Sequence, residues 1–145
     1  MATINANISV TSTIPESGFS LNKTMTMTKA GNTTGIENTN GLSVKKLSAT
    51  TAVVLELAAD ATASGANKLY IRNTGSNKAE HVKISFNASG STDTTDEAIG
   101  RLYGGDWMLF PYNGSTDITV ASSTSTETQM LEYMVFADGI VAAKG

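Results

Sequence analysis

Apolar side chains in this chain recur at every second residue, in short runs. Ile4, Ala6, Ile8 and Val10 alternate with Asn5, Asn7 and Ser9, and Phe19, Leu21, Met25 and Met27 alternate with Ser20, Asn22, Thr24 and Thr26. Successive side chains of a strand point to opposite faces, so this period predicts strands with one face covered and one face wet. Pro15 and Gly18 punctuate the link between the two runs, as residues that fix or free the backbone φ angle do. Residues 29–40 are polar and rich in Gly and Asn, which predicts a long loop. Leu42, Val44 and Leu47 mark a short strand. Over residues 51–59 the alanines Ala52, Ala58 and Ala59 allow a helical turn, but the β-branched pair Val53-Val54 favours a strand.

The second half repeats the signal. Residues 69–73 and 81–86, the latter with Val82, Ile84 and Phe86 on one face, flank the turn-forming Asn73-Thr74-Gly75-Ser76-Asn77 and predict a hairpin. Residues 87–97 form a second polar loop. Residues 99–103 lead through Gly104-Gly105-Asp106, read as a hairpin turn, into residues 107–112. Asn113-Gly114 is a strong turn signal, because both residues tolerate positive φ. Residues 117–121 and 129–136 supply the last strands. Nine or ten short strands with turn residues between them predict an all-β domain, an antiparallel β-sandwich or jelly-roll-like barrel. The whole chain, 1–145, reads as one domain. Residues 1–17 are a candidate extended amino-terminal arm, able to add a strand to a neighbouring sheet edge, and residues 138–145 a tail of small residues.

Two strands depart from simple alternation. In the first, Trp107, Leu109 and Pro111 point one way and Met108, Phe110 and Tyr112 the other. In the second, Met130, Met134 and Phe136 share a face broken only by Glu132, while Leu131, Tyr133 and Val135 form the opposite face. A strand that is apolar on both faces must be covered on both. Either a long loop of the same chain covers the outer face, or another subunit does. Trp, Tyr, Phe and Met are enriched in interface cores, so the candidate contact residues are Trp107, Met108, Phe110, Tyr112, Met130, Met134 and Phe136.

Composition narrows the function. Charged residues make up 16% of the chain, while 21 Thr, 15 Ser, 11 Asn and 13 Gly account for about two residues in five, so the surface is hydroxyl and amide rather than ionic. With no Cys there is no disulfide, thiolate nucleophile or thiolate metal site. The one histidine, His81, has no serine elbow, zinc motif or phosphate loop to work with, which points away from an enzyme and implies no cofactor. A net charge of −3 with scattered Lys and Arg gives no stripe for nucleic acid. No run is long and apolar enough to predict a membrane span. The start lacks the basic and apolar segments of a signal peptide, which predicts a protein made in a cytoplasm. Asp93, Asp96 and Glu97 offer oxygens to a hard cation, but acidic loops are more often simply solvated. Asn87-Ala88-Ser89 fits a glycosylation sequon, which carries no weight without an export signal.

The segments Leu69-Tyr70-Ile71-Arg72-Asn73-Thr74-Gly75, Ile99-Gly100-Arg101-Leu102-Tyr103-Gly104-Gly105-Asp106-Trp107-Met108-Leu109-Phe110-Pro111, Asp117-Ile118-Thr119-Val120-Ala121 and Leu131-Glu132-Tyr133-Met134-Val135-Phe136 together resemble small all-β virion proteins of tailed bacteriophages, particularly marine and cyanobacterial ones, among which head decoration (cement) proteins are found. The resemblance is best over residues 68–136, and it brings no functional residues with it. It implies a structural virion protein, often a trimer, made in the host cytoplasm and exposed on the particle, that bridges capsomers and has the major capsid protein or another virion protein as partner. Two alternatives stand beside this expectation. One is a tail, neck or fibre-associated virion module. The other is a carbohydrate- or surface-binding module with Trp107, Tyr103 or Tyr112 as a stacking platform, which an aromatic share of 6% and the burial expected of Trp107 disfavour.

Overall fold

A computed structural model describes residues 3–31, 33–36, 38–55, 61, 65–86 and 98–137. Among them are eleven strands and no helix: β1 (Ile4–Thr11), β2 (Ser20–Met27), β3 (Asn38–Thr39), β4 (Ser43–Leu47), β5 (Val53–Leu55), β6 (Lys68–Asn73), β7 (His81–Phe86), β8 (Ala98–Tyr103), β9 (Trp107–Pro111), β10 (Ile118–Ser122) and β11 (Gln129–Ala137). All pairings are antiparallel. The expected all-β sandwich is what the chain forms. The strand expected near residue 53 is present as β5, while residues 56–60 of that segment, the loop 87–97 with its acidic cluster and sequon, and the tail 138–145 lie outside the described residues.

Strands β4 to β11 pair as a nested set: β4 with β11, β5 with β10, β6 with β9, and β7 with β8. Such a set is one long hairpin folded back on itself. The lateral pairs β11·β6 and β10·β7 then join it into two sheets, ordered β4-β11-β6-β9 and β5-β10-β7-β8. This is the eight-stranded jelly roll. The short β3 continues the β4 edge, pairing with Phe136 and Ala137 while β4 pairs with residues 129–133.

Alternation explains the core. Leu69 and Ile71 of β6, Val82 and Ile84 of β7, Leu102 of β8, Ile118 and Val120 of β10, and Leu131 and Val135 of β11 all point between the sheets and are buried. Each such side chain contributes about 1.5–3 kcal/mol by leaving water. Leu47, Leu55 and Tyr112 close the ends of the same cluster. Two buried amides cross the gap. Asn73 Nδ2 donates to the Leu102 carbonyl at 3.0 Å and to Gln129 Oε1 at 2.9 Å, and Gln129 Nε2 donates to the His81 carbonyl at 3.3 Å. Asn73 and Gln129 belong to one sheet, and Leu102 and His81 to the other.

The turns differ from expectation in one respect. Residues 69–73 and 81–86 do not form a hairpin: β6 and β7 lie in different sheets, and so do β8 and β9 on either side of Gly104-Gly105. The turn residues reverse the chain as predicted, with Asp106 N–H donating to the Tyr103 carbonyl and Gly105 at φ 87°. Both reversals serve as sandwich corners, because the nested pairing has already given each strand its neighbours. The two corners lock together: Gly104 N–H donates to the Asn77 carbonyl at 2.9 Å, and a Cβ on Gly104 would collide with the backbone of Ser76 and Asn77.

Candidate interaction surface

Outside the jelly roll, β1 and β2 form a two-stranded sheet of their own, paired residue for residue from Ile4↔Met27 to Thr11↔Ser20. The expected arm over residues 1–17 is therefore one leg of a ribbon and not a lone extended segment, because β1 finds its strand partner within the chain. Eight paired residues of antiparallel strand span about 27 Å.

The register gives the ribbon two unlike faces. One carries Ile4, Ala6, Ile8 and Val10 against Met27, Met25, Lys23 and Leu21; the other carries Asn5, Asn7, Ser9 and Thr11 against Thr26, Thr24, Asn22 and Ser20. On the polar face Thr24 Oγ1 donates to Asn7 Oδ1 at 2.7 Å, and Thr26 Oγ1 to Asn5 Oδ1 at 2.8 Å. The apolar face is covered at its base, where Met27 is buried and Ile36 N–H donates to the Met27 carbonyl at 2.8 Å. Towards the tip it is open: Ile8, Val10, Leu21 and Met25 are each about two-fifths exposed, and Ile14 and Phe19 in the loop more so.

Strand β9 lies beside this face. Ala6, Ile8, Val10 and Met25 line one side of a groove of about 500 Å³, with Trp107, Met108 and Leu109 on the other. Trp107 is 51% exposed, contrary to the burial expected of it, because its side chain stands on the outer face of the sheet.

The seven candidate contact residues separate into two sets. Met108 and Phe110 pack against the core and Tyr112 is within it. All three share the inner face; Tyr112, buried, is a core residue rather than a contact residue or stacking platform, whereas Met108 and Phe110 are half-buried and Met108 also borders the groove. Trp107, Met130, Met134 and Phe136 lie on the outer face, Met130 opposite Lys46 of β4 and the others in cross-strand rows with β6: Glu132, Arg72 and Trp107 in one, Met134, Tyr70 and Leu109 in the next, Phe136, Lys68 and Pro111 in the third. Tyr70 Oη donates to Glu132 Oε1 at 2.7 Å, and Arg72 Nη1 lies 3.5 Å from the same oxygen. Burial, and then the Glu132 carboxylate, push the Tyr70 hydroxyl above its ordinary value of 10.0. The surface is thus a partly covered apolar sheet face with a polar strip, continued by an uncovered apolar ribbon.

Sequence reasoning missed the pairing of β1 with β2, although the matching alternation of the two runs around Pro15 and Gly18 was the signal for it. Among the described residues no three His, Asp or Glu side chains converge as metal ligands would. His81 lies in β7, its ring 5.1 Å from that of Tyr103.

No family model matches the sequence, and neither does any curated protein. One solved structure, from work described as "Bacillus endospore appendages form a novel family of disulfide-linked pili", is similar at TM-score 0.40 and 17% identity, over 72% of this chain and 93% of that one. A likeness that shallow bears on neither the fold nor the assembly of this chain, which has no cysteine.

Proposed function

We propose that this chain is a structural assembly protein: a jelly-roll tile whose amino-terminal ribbon fastens it to neighbouring subunits. The observation that carries the reading is the ribbon's apolar face, open over Ile8, Val10, Leu21 and Met25. An isolated two-stranded ribbon is marginal in water, and a contiguous apolar face is a contact surface. A sparse complement of charge, 16% of residues, lowers the repulsion between copies that must lie close together.

Within that reading, the resemblance to phage virion proteins assigns the tile to a capsid, as a decoration protein that bridges capsomers, assembles as a trimer, performs no catalysis and is exposed on a particle made in the host cytoplasm. A cement protein needs an extended contact surface rather than a pocket, which is what the ribbon and the outer face of the β4-β11-β6-β9 sheet offer. The purified chain is expected to run in light scattering at about three times its monomer mass, and Ile8→Ser with Leu21→Ser is expected to return it to monomer with the sandwich still folded. A wild-type monomer that also fails to bind particles would sink the reading. Electron microscopy of intact particles then separates the virion sites: many copies at local symmetry axes fit decoration, and a few at one vertex fit a tail or neck module.

A second reading draws on the half-exposed Trp107, which has the setting of a carbohydrate-stacking platform. Glycan-array binding abolished by Trp107→Ala, with unchanged folding, would favour it over assembly.

A further inference from the structure

On the other sheet, the face turned away from the core carries a row of three residues in register: Ala121 of β10 opposite Lys83 of β7, and Lys83 opposite Arg101 of β8. Like charges placed directly across a strand pair repel and destabilise a sheet. Neither cation makes an ion pair among the described residues, and the chain around them is acidic, with a net charge of −3. Among the described residues no carboxylate neutralises these two adjacent cations, and their repulsion is a cost that folding alone does not require.

The row forms part of a concavity of about 390 Å³, with the buried Ala121, His81, Ser123 and Thr50 also lining it. Among the described residues, the charged or titratable groups around His81 are these. Lys83 is on its own strand, Arg101 and Tyr103 are on β8, and Glu80 precedes it and accepts a hydrogen bond from Ser123 Oγ. β10 contributes Ala121, and just beyond it the Ser123 hydroxyl also accepts from the His81 backbone N–H at 2.9 Å.

We propose that this concavity binds a doubly negative oxyanion, a free sulfate or phosphate ion or the phosphate group of a ligand, between Lys83 and Arg101. The guanidinium offers a planar fork and the ammonium a point charge, and a doubly negative group turns their repulsion into two attractions. Burial lowers the His81 imidazole below its ordinary value of 6.5, helped by Arg101 and Lys83, with Glu80 opposing. An anion seated between those two cations must act on the same ring in the opposite direction.

That ring is the chain's one histidine, so it reports alone in an NMR pH titration. With sodium sulfate replacing sodium chloride at equal ionic strength, the His81 midpoint is expected to rise, and calorimetry to show saturable sulfate binding. Lys83→Gln with Arg101→Gln is expected to weaken sulfate at least about tenfold, the loss of one charge-assisted hydrogen bond or more, and to abolish the rise, while Lys83→Arg retains both. Equal midpoints in the two salts, or a rise that persists in the doubly substituted protein with an unchanged methyl spectrum, would overturn the proposal. Galactose 6-phosphate identifies the source: binding tighter than inorganic phosphate assigns the phosphate group of a ligand, and equal or weaker binding assigns the free ion.

Discussion

The jelly roll and the ribbon are written in the same alternating code and end in opposite states. In β6 and β10 every second side chain is apolar and meets the facing sheet, so Leu69, Ile71, Ile118 and Val120 are fully buried. In β1 and β2 the alternation is broken only by Lys23, yet Ile8 is 44% exposed and Leu21 40%, because among the described residues β9 only flanks the ribbon's apolar face across a groove. Alternation thus specifies that a face must be covered and does not specify by what. The body satisfies it within the chain, and among the described residues the ribbon's outer half stays open.

The widest gap between the two regions is in the cost of removing an apolar side chain. Leu69→Ala is expected to destabilise the body by about 2–5 kcal/mol, through lost burial and the cavity left behind. Ile8→Ala is expected to change monomer stability by less than about 0.5 kcal/mol, as exposed substitutions do. Urea unfolding followed by the fluorescence of Trp107 measures both. Equal losses would break the comparison, since they would mean that the ribbon is packed in the free subunit.

A narrower gap is expected between hydrogen bonds of the two regions. Asn73→Leu strips the Leu102 carbonyl and Gln129 Oε1 of their shared donor, and Gly75 N–H of its acceptor at 3.0 Å. Leaving such buried groups unpaired is expected to cost about 1–3 kcal/mol. Asn7→Ala removes the acceptor of Thr24 Oγ1 on the ribbon's exposed face, where water replaces it, and less than about 0.5 kcal/mol is expected. The same unfolding curves, run on both variants, sharpen the contrast by showing whether the amides between the sheets act as a staple or merely fill space.

How much of this was legible depends on the range of the cause. The strands were legible because alternation is local, and the turns because Asn113-Gly114 and Gly104-Gly105 carry their own φ preferences. The partners were not. The turn residues between β6 and β7 fit a hairpin equally well, and the choice of a corner is made by β9 and β11, which claim β6 from far along the sequence. The inter-sheet amides left a faint mark: Asn73 shares the parity of Leu69 and Ile71, and Gln129 that of Leu131 and Val135, polar residues at positions the pattern assigns to the core. The doubly apolar strand β9 was read correctly as two apolar faces. Nothing local tells its inner face, with Met108 and Phe110, from its outer face, with Trp107 and Leu109. The opposition of Lys83 and Arg101 is a matter of register across β7 and β8, which no single run reveals.

The smallest expected difference is in response to pH. The ribbon strands hold one titratable side chain, Lys23, whereas the jelly roll holds His81 and Tyr70, both shifted. His81 is lowered, so below its ordinary 6.5 the unfolded chain takes up a proton before the folded one does. Its contribution to stability is therefore intact above that pH and is lost as pH falls through the folded value. Tyr70 is raised, so above 10.0 the unfolded chain releases its proton first, and stability falls as pH rises from there towards the folded value. Both groups are only partly buried, which keeps each effect small. Urea midpoints of the wild type compared with His81→Gln should diverge only on the acid side, and with Tyr70→Phe only on the alkaline side, apart from constant offsets. The Ile8→Ser, Leu21→Ser protein should follow the wild-type profile throughout, since neither substitution removes a titratable group; a profile that differed in shape would mean that the ribbon shields His81 or Tyr70, and the two regions would no longer be independent.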